Sequence, residues 1–137
     1  MRYQDNGVSW LHPTVVGLDI DTIVTAFFER YAQALLDRDE GAISTMYAVP
    51  GLILFPGQSL VVDDPELTRR FFAANWDQYE GVTEAVPEPA VIAATDHSVW
   101  VKVDWRYGGE VREHFVYQLL KTADSAWQIA VLTPMTK

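Results

Sequence analysis

Residues 97–121, HSVWVKVDWRYGGEVREHFVYQLLK, decide the fold. Two runs rich in β-branched and aromatic residues flank Gly108-Gly109, and such a pair suits the two-residue turn of a β-hairpin. The stretch therefore predicts two long antiparallel strands, 97–107 and 110–121. A further strand is predicted over residues 126–133, so the C-terminal part of the chain is β.

Helices are predicted ahead of this hairpin. Apolar residues recur at three- and four-residue spacing over residues 19–37, which predicts a first helix. Asp64 precedes a proline and a glutamate, the pattern of a helix start, so a second long helix is predicted over 64–79. A short helix over 40–47 and a small hairpin over 51–62 lie between them. Helices first and consecutive strands last are typical of an α+β domain.

Length and composition predict one domain that is stable without disulfide bonds. The chain has 137 residues and no cysteine, which excludes disulfides, thiolate metal sites and a cysteine nucleophile. Residues 1–17 contain Asn6-Gly7 and Pro13, which break any regular pattern, and are predicted to form an N-terminal arm. Residues 18–137 are predicted to form the domain.

The charge of the chain predicts which partners it avoids. Its formal net charge is −9, which repels nucleic-acid phosphates and anionic membrane surfaces. It contains no apolar run long enough to span a membrane, and the N-terminal stretch has no apolar core of a signal peptide. We therefore expect a cytoplasmic protein that binds neither nucleic acid nor membrane. Known nucleotide-binding and metal-ligand spacings are missing from the sequence, so no cofactor and no metal are expected.

Three segments carry a resemblance to a known group of proteins. A first helix ends in Leu36-Asp37-Arg38-Asp39, a second ends in Met46-Tyr47-Ala48-Val49-Pro50, and the last strand contains the run 127–132. Together they resemble the nuclear-transport-factor-2-like (NTF2-like) superfamily, in particular its SnoaL-like, polyketide-cyclase-like branch. The resemblance covers about residues 19–133. It implies a cone-shaped fold in which helices pack in the concave face of a curved, mostly antiparallel sheet around a pocket.

The hairpin assigns strand residues to faces of that sheet. A regular two-residue turn pairs Val103 with His114 and Trp105 with Arg112, which places all four on the concave face. A one-residue bulge near the turn would invert this assignment.

His114 is then the best candidate for acid–base chemistry, with a hydrogen-bonded histidine at the core edge as the structural alternative. Arg112 would hold an anionic group, or form an ion pair at the pocket mouth. The predicted pocket lining is aromatic, and it consists of Phe27, Tyr31, Tyr47, Phe71, Trp76 and Trp105. A tyrosine hydroxyl there could stabilise an oxyanion or merely pack.

The same assignment leaves large aromatic side chains among charges on the outer face. Trp100, Phe115 and Tyr117 are therefore predicted to contact a second copy in a homodimer.

Two kinds of function remain open. The first is a protein that binds a small apolar ligand, or a dimeric association domain, without clear catalytic residues. The second is a cofactor-free isomerase, dehydratase or cyclase acting on an apolar carbonyl compound, as the resemblance implies. Members of the superfamily often carry a histidine near the end of the last strand, and here that stretch is Val131-Leu132-Thr133-Pro134. This difference favours binding or association.

Overall fold

The computed structural model describes residues 13–135 of the protein. The elements follow in the order α1 (Pro13–Leu36), α2 (Glu40–Thr45), β1 (Tyr47–Phe55), β2 (Gln58–Val62), α3 (Pro65–Ala73), β3 (Ala85–Ala94), β4 (Ser98–Tyr107), β5 (Glu110–Lys121) and β6 (Trp127–Pro134). Within these residues the strands form one six-stranded sheet in the order β2-β1-β6-β5-β4-β3. The β1–β6 pairing is parallel and the other four are antiparallel, so the predicted α+β class with a mostly antiparallel sheet is confirmed.

Helix α1 begins earlier than predicted. It starts at Pro13, a residue that suits the first turn of a helix because its missing N–H would have no partner there. Residues 13–17 of the predicted arm therefore belong to this helix, and residues 1–12 of that arm lie outside the described residues. The apolar stripe of α1 faces the core, since Val24, Tyr31 and Leu35 are all buried.

Helix α3 is shorter than predicted. Asp64 caps it as expected, because its side chain accepts a hydrogen bond from the Glu66 backbone N–H at 2.9 Å. The α-helix ends at Ala73, and a separate 3-10 turn over Trp76–Tyr79 follows it. None of the helices within residues 13–135 combines the length and apolar character needed to cross a bilayer.

The prolines of β3 agree with its place in the sheet. Pro87 and Pro89 cannot donate ladder hydrogen bonds, and β3 is an edge strand with β4 as its neighbour. The long strands β4, β5 and β6 pair side by side in the sheet. Their inward side chains form much of the core.

A bulge in β5 changes the predicted faces. Arg106 pairs with Val111 but Trp105 pairs with Glu113, so Arg112 is an extra residue without an opposite partner. From Glu113 onward every side chain of β5 is on the face opposite to the one that a regular hairpin would give it. This is the physical reason for three corrections.

His114 was expected on the concave face and lies instead on the outer face, where it pairs with Asp104. Phe115 and Tyr117 were expected on the outer face and are buried on the concave side, with 6% and 1% of their surface exposed. Of the three predicted interface residues, Trp100 alone is outward-facing, and it is 39% exposed.

Candidate functional site

A cavity of about 230 Å³ lies between α1, the region around α3 and the concave face of the sheet. Most of its lining is aromatic, and the aromatic residues are Tyr31, Phe55, Phe71, Phe72, Tyr79, Trp105, Tyr107, Phe115 and Tyr117. Leu35 and Leu132 complete the apolar wall. A concave, mainly apolar chamber with a few polar atoms is the usual form of a small-molecule site.

Two hydrogen bonds between aromatic side chains form the polar part of the cavity floor. The hydroxyls of Tyr31 and Tyr47 lie 2.6 Å apart, and the indole N–H of Trp105 donates to the Tyr117 hydroxyl at 3.0 Å. The first pair joins α1 with β1, and the second joins the neighbouring strands β4 and β5. The four side chains are buried, so these polar atoms are held in an apolar surrounding.

Two hydroxyl hydrogens at the cavity floor are not used in hydrogen bonds among the described residues. One hydroxyl hydrogen of the Tyr31–Tyr47 pair is used within the pair, and Tyr117 accepts a hydrogen bond without donating one. Among residues 13–135 no acceptor is found for the second hydrogen of the pair or for the hydrogen of Tyr117. Tyr31 and Tyr117 both line the cavity, and their ring centres are 6.2 Å apart.

Burial keeps these phenols protonated. Desolvation raises the pKa of Tyr31, Tyr47 and Tyr117 well above the ordinary value, since a phenolate would lose its hydration there. At neutral pH all three can donate hydrogen bonds. They are correspondingly poor general bases.

Amide side chains line the mouth of the cavity. Gln58, Asn75 and Gln78 line it on the side of the β1–β2 turn and the 3-10 turn. Asn75 donates to the Phe71 carbonyl oxygen at 2.6 Å, and Gln78 donates to the Asn75 side-chain oxygen at 2.9 Å. These bonds fix the rim without placing a charged group in the cavity.

A second set of polar residues adjoins the mouth. The Tyr107 hydroxyl donates to Glu113 Oε1 at 2.6 Å. The pKa of Tyr107 is raised by burial, by Tyr79 and by the negative charge of Glu113. Burial and the charge of Glu113 also raise the pKa of Tyr79, to about 12. Glu113 is thus a carboxylate on the concave side that the regular hairpin had assigned to the outer face.

Arg38 holds the segment that carries Tyr79. Its guanidinium donates to the carbonyl oxygens of Leu35 at 3.0 Å and Val82 at 3.2 Å, which joins the end of α1 to the chain after the 3-10 turn. The same group lies 5.9 Å from the centre of the Tyr79 ring. Arg38 therefore positions one wall of the cavity.

The predicted ligand-binding residues divide into two groups. Tyr31, Phe71 and Trp105 line the cavity, and Tyr47 lies behind it as the partner of Tyr31. Phe27 is buried, but it borders a different hollow, beside Arg30 and Ala34.

Trp76 does not line the cavity either. Its indole N–H donates to Glu40 Oε1 at 2.8 Å, so the ring ties the 3-10 turn to α2. Its predicted place in the lining is wrong because the α-helix ends before it and the 3-10 turn directs it toward α2.

The predicted catalytic pair is separated by the bulge. Arg112 is exposed at the mouth, where it lines a second chamber with Tyr79, Tyr107 and Glu113. His114 Nδ1 lies 2.7 Å from Asp104 Oδ1 on the outer face. The His114 hydrogen bond and then the Lys102 ammonium at 3.2 Å lower the pKa of Asp104. The predicted placement of His114 at the pocket is therefore wrong.

The main residues that the sequence interpretation missed are Phe115, Tyr117 and Glu113. A signal for the first two was present, because Phe115, Tyr117 and Leu119 alternate as the more apolar set of β5. Across residues 13–135 no three His, Asp or Glu side chains come close enough together to hold a metal ion.

Comparisons with known proteins agree with this architecture. The sequence model of a family described as NTF2-like protein (DUF6841) matches residues 19–137. A ketosteroid isomerase-like protein from Erwinia carotovora atroseptica SCRI1043 superposes with a TM-score of 0.60 at 18% identity, covering 85% of this chain and 96% of that chain. No match is found among curated proteins.

Two further solved structures share the fold. An NTF2-like superfamily protein from Salmonella enterica serovar Typhimurium LT2 superposes with a TM-score of 0.65 at 11% identity, covering 86% of this chain and 91% of that one. Aln2 from a Streptomyces species superposes with a TM-score of 0.65 at 16% identity, covering 85% and 89%. At these identities the structures show the fold alone. The family match spans most of the sequence, and the chain belongs to the NTF2-like family DUF6841.

Proposed function

We propose that this NTF2-like protein binds a small, mainly apolar molecule that carries a hydrogen-bond acceptor such as a carbonyl oxygen. The observation that carries the proposal is the floor of the cavity, where two buried phenol hydrogens have no acceptor among residues 13–135. A buried donor without an acceptor costs free energy, and a ligand oxygen placed between Tyr31 and Tyr117 would recover it.

The size and lining of the cavity define the ligand further. A volume of about 230 Å³ is smaller than the roughly 300–1,000 Å³ typical of sites for drug-sized ligands. One or two rings would fill it. The aromatic walls favour a flat ring system, because offset and edge-to-face contacts between rings are attractive.

Binding is favoured over catalysis by the same lining. The residues around the main cavity are aromatic, aliphatic or amide-bearing, with no carboxylate or histidine among the described lining residues. The phenols have raised pKa values, so they donate hydrogen bonds at neutral pH but do not remove protons. The isomerase, dehydratase or cyclase alternative therefore has no general base inside this chamber.

A pair of matched probes tests the proposal. Acetylnaphthalene and ethylnaphthalene have nearly the same shape, and only the first carries a carbonyl oxygen. We expect the ketone to bind about fivefold more tightly, the effect of one net hydrogen bond, in titrations followed by tryptophan fluorescence. Tyr117→Phe should remove most of that preference.

The matched control is Tyr107→Phe. It also removes a hydroxyl from the cavity lining, but one that already donates to Glu113. The ketone preference should survive this change. Equal binding of the two probes by the wild-type protein, or no binding of either, would contradict the proposal.

Self-association is a second candidate function, which the outer face of the sheet favours. Directly paired residues on that face form a row across all six strands, and the row consists of Val61, Leu52, Val131, Gln118, Trp100 and Ala93. Val61 is 62% exposed, and Ile92 beside the β3 end of the row is 58% exposed. A mostly apolar row of this kind, with Gln118 as its one polar member, suits a second copy of the chain in an isologous homodimer.

Sedimentation equilibrium tests this association. We expect a dimer at micromolar concentration for the wild-type protein and a monomer for Trp100→Lys. Val49→Lys is the control, since Val49 is 45% exposed but lies outside the row. A monomeric wild-type protein would end the homodimer proposal and leave the ligand proposal unaffected.

A further inference from the structure

A second chamber of about 230 Å³ adjoins the main cavity at its mouth. It is lined by Gln78, Tyr79, Val82, Tyr107, Arg112 and Glu113. Gln78, Tyr79 and Tyr107 belong to the lining of both chambers, so the two spaces meet at these side chains. A ligand seated in the main cavity therefore has one end next to the second chamber.

Glu113 differs from the other partly buried carboxylates of the protein. Among the side chains described from residue 20 to residue 135, four carboxylates are partly buried. Glu40 and Glu66 pair with Arg69, and Asp104 pairs with Lys102. Glu113 accepts a hydrogen bond from Tyr107, and no cationic side chain among the described residues lies within ion-pair distance of it.

The side chains around Glu113 suit a cation. The rings of Tyr79 and Tyr107 are edge-to-face, with centres 6.0 Å apart and planes at 87°, and both line the chamber. Aromatic faces beside a carboxylate form the kind of surface that attracts an ammonium group. The net charge of −9 also raises the local concentration of cationic ligands.

We propose that the second chamber is an ammonium subsite, in which Glu113 is the counter-ion of a basic amine on the ligand. This inference rests on the proposed function, because the apolar part of the same ligand occupies the main cavity. The Tyr107 hydroxyl holds Oε1 of Glu113 in place, which leaves the second carboxylate oxygen to accept from the amine. Arg112, which is exposed and lines the same chamber, disfavours cations, so the amine must approach from the side of the tyrosine rings.

Three probes with one skeleton and different head groups test the subsite. Phenylbutylamine, phenylbutanol and phenylbutyrate present an ammonium, a hydroxyl and a carboxylate on the same apolar chain. We expect the wild-type protein to bind the amine about tenfold more tightly than the alcohol, as a charge-assisted hydrogen bond gives, and the carboxylate most weakly. Isothermal titration calorimetry measures all three.

Glu113→Gln keeps the shape of the side chain and removes its charge. We expect it to abolish the preference for the amine while leaving the affinity for the alcohol within about twofold. Arg112→Gln is the matched control, since it removes the neighbouring charge from the same chamber, and it should preserve or increase the amine preference. Circular dichroism melting curves establish that both variants are folded.

Each outcome decides the proposal. Equal affinities of amine and alcohol for the wild-type protein overturn it, and that comparison needs no variant. Tighter binding of phenylbutyrate assigns the chamber to Arg112 and an anionic group, which also overturns it. If acetylnaphthalene still binds with its ketone preference, the proposed function stands while the subsite fails; if that preference is missing as well, both fail.

Discussion

Two hydrogen-bonded polar pairs lie next to each other on β5 but on opposite faces of the sheet. Tyr107 donates to Glu113 at 2.6 Å on the concave side, and His114 contacts Asp104 at 2.7 Å on the outer side. The two distances are nearly equal, but the surroundings differ. Tyr107 is 7% exposed among aromatic rings, whereas His114 and Asp104 lie at the surface beside Lys102.

The difference shows that position relative to one bulge decides what a polar residue can do. Glu113 and His114 are consecutive in the chain, and the extra residue Arg112 sends the first toward the cavity and the second toward solvent. The pKa values of a pair within the aromatic chamber depend on its burial, and the pair is placed to contact a bound ligand. A pair on the outer face is screened by water and salt.

The strongest way to break this comparison is to place a charge on the inner face of β5. Tyr117→Lys does so at a position that is 1% exposed. We expect the free energy of unfolding to fall by more than about 4 kcal/mol, because the variant loses a large buried ring and buries an unpaired charge. Chemical denaturation followed by circular dichroism measures it.

Gln118→Lys is the control for this change. Gln118 is the next residue and lies on the outer face opposite Trp100, so we expect a loss of less than about 1.5 kcal/mol. A Tyr117→Lys variant as stable as Gln118→Lys would show that β5 does not direct Tyr117 into the core.

The concave side should make the protein sensitive to alkali. The pKa of Tyr79 is raised from 10.0 to about 12 by burial first and the charge of Glu113 next. The unfolded chain therefore releases this proton at a lower pH than the folded protein does. The stabilisation is complete below about pH 10 and is lost as the pH rises toward about 12, at a cost of about 2–3 kcal/mol for a shift of this size.

Denaturant unfolding at a series of alkaline pH values measures this loss, and tyrosinate absorbance follows the titration itself. Tyr79→Phe cannot ionise, so its stability should fall by about 2–3 kcal/mol less than that of the wild-type protein over the same range. Parallel pH profiles of the two proteins would contradict the buried environment of Tyr79.

The outer face should show the opposite and smaller pH dependence. The hydrogen bond from His114 and then the charge of Lys102 lower the pKa of Asp104 from 3.8. The stabilisation is present above the unfolded pKa and is lost as the pH falls through the lower folded value. Because the pair lies at the surface, Asp104→Asn should cost less than about 1 kcal/mol at neutral pH, measured by urea unfolding.

Asp104→Asn should also flatten the acid limb of the stability profile slightly, since the variant has no carboxyl group to protonate there. A loss above about 2 kcal/mol at neutral pH would mean that the outer pair is energetically comparable to a buried one. The contrast between the two faces would then fail.

Local patterns were sufficient for most of the elements. The Gly108-Gly109 turn is present with both residues at positive φ, and Tyr107 pairs with Glu110 as expected. The capping role of Asp64 and the apolar stripe of α1 also agree with the sequence. These features depend on interactions between residues close together in the chain, so sequence patterns capture them.

The assignment of the site was less successful because two signals within β5 conflicted. Extending a regular register from the turn assigned His114 to the concave face. The apolar alternation of Phe115, Tyr117 and Leu119 assigned those three residues to the same face instead. The apolar alternation was the correct guide, since burying three large side chains outweighs the regularity of one turn. Tyr31, Phe71 and Trp105 were placed correctly because neither α1, the start of α3 nor β4 depends on the bulge.

The sequence by itself determined the α+β class, the order of helices and strands, the superfamily and the aromatic character of the interior. The class, the order of elements and the aromatic interior follow from hydrophobic periodicity, turn residues and caps, each of which acts over a few residues, whereas the superfamily follows from the resemblance of three segments to its members. Only the tertiary structure decided that Arg112 bulges out, that Glu113 faces the chamber beside Tyr107, and that Tyr31 and Tyr117 meet at one cavity. The physical reason is that register and cavity shape are set by packing between distant segments, where burial of the whole face determines each side chain's direction.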